Sequence, residues 1–230
     1  MTAHPEIMRV RVLILPVAAL LSGCMANPVP RSQATMRVTA APFSAFPEGG
    51  RCLTDLGQAR ANFTPLPDRY YGAGCSTVGT VQLAGLQGDN AVFAVRGLGP
   101  VTCPLAETLA GWARFGVDRA ARQLLGSPLV RIETMGSYAC RNVIGNAHSS
   151  GRRSAHASAN AVDVAGFDLA DGRRILVTDA WNDTDPAVRQ FLRTVRGSAC
   201  KRFTTVLSPD YNAAHHDHLH VEVGSGRFCG

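Results

Sequence analysis

Four of the chain's seven histidines fall in one short stretch, Ala214-His215-His216-Asp217-His218-Leu219-His220-Val221-Glu222. Read as a strand from His218 to Val223, its period of two places His218, His220 and Glu222 on one face and Leu219, Val221 and Val223 on the other. The apolar face belongs in a core, so the imidazole face must turn towards something polar. Upstream, Ser154-Ala155-His156-Ala157-Ser158-Ala159-Asn160-Ala161-Val162-Asp163 supplies a loop histidine and an aspartate between two valines that face the other way on a strand. A carboxylate there is costly unless its charge is paired or metal-bound. Two imidazoles and one carboxylate suit Zn²⁺ and leave a fourth position open for water. The ion lowers the pKa of that water to about 7 and polarises a carbonyl for attack. The alternative is a histidine cluster without function, in which the two segments never meet. His148, His215 and His216 read as loop histidines, and Asp179, Asp183 and Asp185 as capping groups ahead of the helix that starts at Pro186.

The elements that must position these groups follow from periodicity and turn chemistry. Val78–Ala84 and Ala91–Val95 suit short strands joined by a hairpin across Gly88-Asp89-Asn90. Thr102 is a candidate N-cap, with Pro104 in the first turn and an apolar stripe through Leu105, Leu109, Trp112 and Phe115. A second helix over Asp118–Leu125 stops at Gly126. Leu129–Met135 alternates as a strand, and residues 136–155 form a long polar loop. Ala161–Leu169 and Arg173–Val177 flank the turn Ala170-Asp171-Gly172. Pro186–Val195 is helical, with Val188, Phe191, Leu192 and Val195 on one face. Phe203–Leu207 and His218–Val223 are the last strands. The expected fold is a single mixed α+β domain over residues 51–230, with a small antiparallel sheet carrying the metal site and helices flanking it.

The N-terminus reads as an export signal. Arg9 and Arg11 precede the apolar run Val12–Leu21, and Leu21-Ser22-Gly23-Cys24 follows. The run is short of the roughly 20 apolar residues that span a bilayer. Leu-Ser-Gly-Cys looks like a lipobox, so residues 1–23 are expected to be a lipoprotein signal peptide and Cys24 the lipidated new N-terminus. Residues 24–50, with Pro28, Pro30, Pro42 and Pro47, read as a tether. Met25 is not Asp, which favours the outer membrane of a Gram-negative cell over the inner one. Six cysteines remain, an even number with no C-x-x-C pair, which reads as three disulfides in an oxidising compartment. Pairing neighbours in sequence gives Cys52 with Cys75, Cys103 with Cys140 and Cys200 with Cys229. Of 23 cationic residues only Lys201 is a lysine, and no basic run exceeds two residues. A formal charge of +6 scattered in this way, with aromatics at 7%, argues against nucleic acid and fits an anionic wall or membrane surface.

These residues also resemble a known family. Ser-x-His followed by Ala-x-Asp and a late His-x-His is similar to the LAS metallopeptidases, which include peptidoglycan carboxypeptidases and murein endopeptidases. More closely, Ser137-Tyr138-Ala139-Cys140-Arg141-Asn142, Ser154-Ala155-His156-Ala157, Ala161-Val162-Asp163-Val164-Ala165-Gly166-Phe167, Asp171-Gly172-Arg173 and Val206-Leu207-Ser208-Pro209-Asp210-Tyr211-Asn212 resemble the bacterial extensin-like C-terminal domain over about residues 51–230. The resemblance implies Zn²⁺ held by His156, Asp163 and His220, with His218 as catalytic base or transition-state stabiliser. It implies substrate contact at Arg141, through a carboxylate or carbonyl, with an ion pair as the structural alternative. Ser154 would bind substrate, bond a ligand-orienting group or cap a turn. Ala159 stands where many relatives have Gly. Asp217 stands where carboxypeptidase relatives place Glu, and either orients His218 or faces solvent.

The function expected is therefore a zinc-dependent peptidoglycan peptidase of D,D-carboxy- or endopeptidase type, monomeric and lipid-anchored on the periplasmic side of the envelope. A non-catalytic zinc-containing wall-binding or scaffolding lipoprotein is the alternative, and a hydrolase of another amide or ester a third.

Overall fold

The computed structural model describes residues 47–145 and 147–230. The expected leader, Cys24 and the tether up to residue 46 lie outside the described residues. The first described element is helix α1 (Pro47–Gln58), which begins inside the stretch read as tether. Strand β1 (Asn62–Pro65) follows, then a separate two-stranded hairpin of β2 (Arg69–Gly72) and β3 (Cys75–Thr77). Neither α1 nor this hairpin was expected, because Gly, Pro and polar residues mask their short apolar patterns.

The expected hairpin across Gly88-Asp89-Asn90 is formed by β4 (Thr80–Gln87) and β5 (Val92–Arg96). After the short β6 (Val101–Thr102) the chain enters α2 (Cys103–Trp112). Thr102 stands at its N-cap without a side-chain capping bond; its hydroxyl donates instead to Asn160 Oδ1 at 2.6 Å. The two helices expected between residues 102 and 125 are one continuous element. α2 passes through a π-helical stretch, Ala113–Asp118, into α3 (Arg119–Leu125), which ends at Gly126 in the left-handed conformation. The wider π turn rotates Phe115 off the buried stripe, leaving it 46% exposed between Arg114 and Arg119. Gly116 faces Ser198, where a Cβ would collide.

The second half supplies β7 (Leu129–Gly136), β8 (Ala161–Leu169), β9 (Arg174–Leu176), the one-turn α4 (Val177–Ala180), α5 (Pro186–Cys200), β10 (Thr205–Leu207), β11 (Leu219–Glu222) and β12 (Phe228–Cys229). Asp185 caps α5 by accepting from Ala187 N at 2.8 Å, as expected of that acidic cluster. The main sheet runs β1-β4-β5-β7-β8-β11-β10-β12, with β6 on β4 and β9 on β8. It is antiparallel except for β5 with β7 and β10 with β12. The parallel β5–β7 pair needs a crossover connection, and the α2–α3 helix provides it. α3 packs on α5. Between helices and sheet, buried Trp112 donates Nε1–H to Val195 O at 3.1 Å and meets Phe167 and Phe203 edge-on. No helix of the described residues is long and apolar enough to cross a membrane.

The pleat sorts the middle strands. Val162, Val164, Leu219 and Val221 are fully buried towards the helices, so Asp163 and His220 project from the opposite face. β8 and β11 pair with His220 directly opposite Asp163. This register, invisible in either strand alone, brings the two expected ligand segments together.

Three disulfides are present, but only Cys200–Cys229 is paired as sequence proximity suggested. The expected Cys52–Cys75 and Cys103–Cys140 pairs are replaced by Cys52–Cys103 and Cys75–Cys140. The reason is packing. α1 lies along α2, so Cys52 meets Cys103 at the α2 N-terminus. Strand β3 lies against the turn that holds His156, and Ala139 N–H donates to the His156 carbonyl at 3.1 Å, so Cys75 meets Cys140. Each bond closes a loop of 51 or 65 residues, where chain entropy alone is worth about 4 kcal/mol. The double substitution Cys52→Ser with Cys103→Ser is expected to lower unfolding free energy by about 2–4 kcal/mol in denaturant titrations. Peptide mapping under non-reducing conditions should recover the 52–103 and 75–140 cross-links; a 52–75 cross-link would contradict the packing of α1 on α2.

Candidate metal centre

His156 sits in a 3₁₀ turn, Ala155–Ser158, that follows the long loop after β7. Ser154, expected at the substrate, is buried and caps this turn by accepting from His156 N at 3.3 Å; the hydroxyl positions the histidine. The turn closes at Ala159, a buried non-glycine residue with φ of 55°. The left-handed conformation costs an alanine roughly 1 kcal/mol, and it is held by hydrogen bonds from Ala159 N to His156 O and from Thr102 N to Ala159 O. Local strain is accepted where the turn must deliver His156 to the sheet face.

There the ring of His156 is oriented from behind: Nδ1–H donates to the Ser137 carbonyl at 2.6 Å. That turns Nε2 forward, 3.2 Å from Asp163 Oδ2 and 3.2 Å from His220 Nδ1. His220 in turn places Nδ1 at 2.9 Å from Asp163 Oδ1 and Nε2 at 3.1 Å from Glu222 Oε2. The three groups form the one such cluster among the described residues, with candidate donor atoms all within 4.8 Å of one another.

The donor set fits a small tetrahedral divalent ion. Bonds of about 2.0–2.1 Å at tetrahedral angles put ligand atoms about 3.3 Å apart, close to the 2.9–3.2 Å separations here. Both imidazoles also have the outer partner that metal-binding histidines require, a carbonyl for His156 and a carboxylate for His220. Of these outer groups Glu222 had a legible signal, its place two residues after His220. Ser137 had none, because a backbone carbonyl carries no side-chain signature.

Electrostatics follow the same geometry. Burial works against the Asp163 carboxylate, but hydrogen bonds from His156 and His220 outweigh it and hold the group well below the usual range. For His220 burial disfavours the charged ring, yet the Asp163 and Glu222 carboxylates prevail and raise it to about 9. His215 goes the other way: burial, then repulsion from His218 and His220, lowers it to about 4. Expected to be a loop histidine, it packs 5.1 Å from the His218 ring and 5.9 Å from that of His220, with Nδ1 bonded to Asn212 Oδ1 at 2.7 Å. It packs beside both rings, within reach of the Asp163 charge.

His218 precedes β11 and is buried. Its Nδ1 bonds Asp217 Oδ1 at 2.8 Å, and its Nε2 lies 3.4 Å from Asp163 Oδ1. Asp217 therefore orients His218, the first of its two expected roles. Arg141 extends from the segment that starts at Ser137. Its Nη1 donates to the Asn142 carbonyl at 3.3 Å, it forms no ion pair among the described residues, and its charge is felt at His215.

A comparison with protein-family models matches residues 50–230 to the "Extensin-like protein C-terminus" family. The chain belongs to this extensin-like family. Comparisons with curated proteins and with solved structures find no match. In this extensin-like chain the matched segment contains each residue of the His156–Asp163–His220 cluster, together with His218, Arg141 and Ser154.

The His220 shift has a testable sign. Its folded value is raised, so the ion pair with Asp163 contributes fully below the ordinary 6.5 and is lost as pH rises through about 9. In the metal-free protein the His220 ring is expected to titrate near 9 by NMR, and lower in Glu222→Gln. A midpoint near 6.5 would contradict the arrangement.

Proposed function

We propose that the domain is a zinc-dependent peptidase acting on the peptides of peptidoglycan. The observation that carries this reading is the convergence of a buried His–Asp–His set with a fourth group, His218, held by its own carboxylate and aimed at the same point. His156 Nε2, Asp163 and His220 Nδ1 would hold Zn²⁺. When bound there, the ion supplies a Lewis acid that polarises a carbonyl and makes water acidic at neutral pH.

The chain's own residues would do the rest. His218 accepts a proton at Nε2, and Asp217 at Nδ1 stabilises the imidazolium, as an orienting carboxylate does for a general base. The same Nε2–H then serves the leaving amine. Arg141, free of ion pairs among the described residues, offers a guanidinium fork to a substrate carbonyl or carboxylate. Glu222 and the Ser137 carbonyl fix the ring orientations that leave His220 Nδ1 and His156 Nε2 as donors.

Cellular placement belongs to the same proposal. Three disulfides suit an oxidising compartment. Together with the lipobox-like Leu21-Ser22-Gly23-Cys24 and a positively charged chain, they support an exported, lipid-anchored protein facing an acidic wall, with the outer membrane favoured.

Four substitutions test the assignment of roles. His218→Ala is expected to retain stoichiometric zinc and lose muropeptide cleavage by at least 100-fold, the scale of general acid–base catalysis. His156→Ala is expected to lose both. Glu222→Gln should weaken zinc binding by about 10–100-fold, and Asp217→Asn should reduce turnover with zinc retained. Stoichiometric zinc with muropeptides and whole sacculi left uncut would overturn the peptidase reading in favour of a wall-binding protein.

A further inference from the structure

The β2–β3 hairpin stands apart from the main sheet, yet it is fastened to the site. Cys75 is bonded to Cys140, beside Arg141. Arg153 donates Nε–H to the Ala73 carbonyl at 2.6 Å and Nη1–H to Asn142 Oδ1 at 3.0 Å. These two ties join the hairpin to the segments that carry Arg141 and, through the Ala139 N–H bond to the His156 carbonyl, the His156 turn.

What the hairpin presents is aromatic. Tyr70 is 78% exposed and Tyr71 50% exposed, an unusual outlay of large rings on a surface where large apolar groups mark binding sites. The Tyr71 ring meets Tyr138 at 5.2 Å and 36°, and Tyr138 directly follows Ser137, whose carbonyl orients His156. The Tyr71 hydroxyl shares a hydrogen bond with Thr77 Oγ1 at 3.3 Å, which steadies the ring. Tyr71 and Tyr138 thus pair where the hairpin meets the segment that carries Ser137 and Arg141.

Flat ring faces with polar edges match a sugar ring, whose C–H face stacks while its hydroxyls bond at the rim. A buried peptide side chain would call for an enclosed pocket instead. Charge agrees: residues 69–77 and 137–144 contain no acidic residue, Arg69 and Arg141 lie within them, and Arg153 is bonded to both segments. A sugar chain rich in hydroxyl and carbonyl acceptors meets guanidinium donors there.

We infer that Tyr70, Tyr71 and Tyr138 form a saccharide-stacking subsite that seats a strand of β-1,4-linked N-acetyl aminosugars beside the metal centre. This rests on the wall-peptidase reading above and names the part of the substrate that reading leaves open. The probe is a peptide-free tetrasaccharide of alternating N-acetylglucosamine and N-acetylmuramic acid, titrated into the purified protein by NMR and calorimetry. Saturable shifts of the Tyr70 and Tyr71 ring resonances are expected. Tyr70→Ala with Tyr71→Ala should weaken binding at least tenfold, and Tyr71→Phe should stay within threefold of the parent. No saturable binding, or binding undiminished in a double variant with unchanged circular dichroism, would overturn the subsite; so would ring shifts caused by a sugar-free stem peptide and not by the tetrasaccharide. Should the double variant not fold, the ring shifts of the parent protein decide. None of these measurements needs turnover or metal. Uncut sacculi would sink the peptidase reading with the subsite intact, and missing ring shifts would sink the subsite with cleavage intact.

Discussion

The antiparallel pairing of β8 with β11 is the constraint on which the site depends. It sets His220 opposite Asp163 on the polar face of the sheet while Val162, Val164, Leu219 and Val221 fill the core behind them. A slip of one residue in β11 would send His220 into the apolar layer. The packed core therefore enforces the register, and the register makes the His156–Asp163–His220 cluster. Helices α2, α3 and α5 act on the site through this contact surface, by holding the valines and leucines of both strands in place, and Thr102 at the α2 N-terminus bonds Ala159 in the His156 turn.

Burying an aspartate among imidazoles has a cost that the surrounding hydrogen bonds offset. Asp163 keeps its charge because two rings face it, and His220 keeps its orientation because Glu222 stands behind it. His156 is delivered by a strained turn closed at Ala159 and capped by Ser154. Each donor atom is thus aimed by a second group. Such a cluster would spare the binding of an ion the ordering of three side chains.

What could be read from sequence was whatever has a local period or a local turn. The hairpin across Gly88-Asp89-Asn90, strands β7, β8 and β11, and the stop of α3 at Gly126 all have such signals. So did the pairing of His218, His220 and Glu222 on one face, and the capping role of Asp185. The disulfides 52–103 and 75–140 were not legible, because α1 and the β2–β3 hairpin meet residues distant along the chain. The π stretch that turns Phe115 outward has no sequence period of its own. His215, expected in a loop, is packed against two site histidines because its 3₁₀ turn folds back over β11. The carbonyl of Ser137 is brought to His156 only by the fold.

One divalent ion should sit on the sheet face between β8, β11 and the His156 turn. Zinc-edge anomalous diffraction from crystals grown with zinc tests it most directly. The expected result is a single protein-bound peak coordinated by His156 Nε2, an Asp163 carboxylate oxygen and His220 Nδ1, with Glu222 still bonded to His220 Nε2. A peak coordinated through other residues, or none within bonding distance of Asp163, would contradict the account.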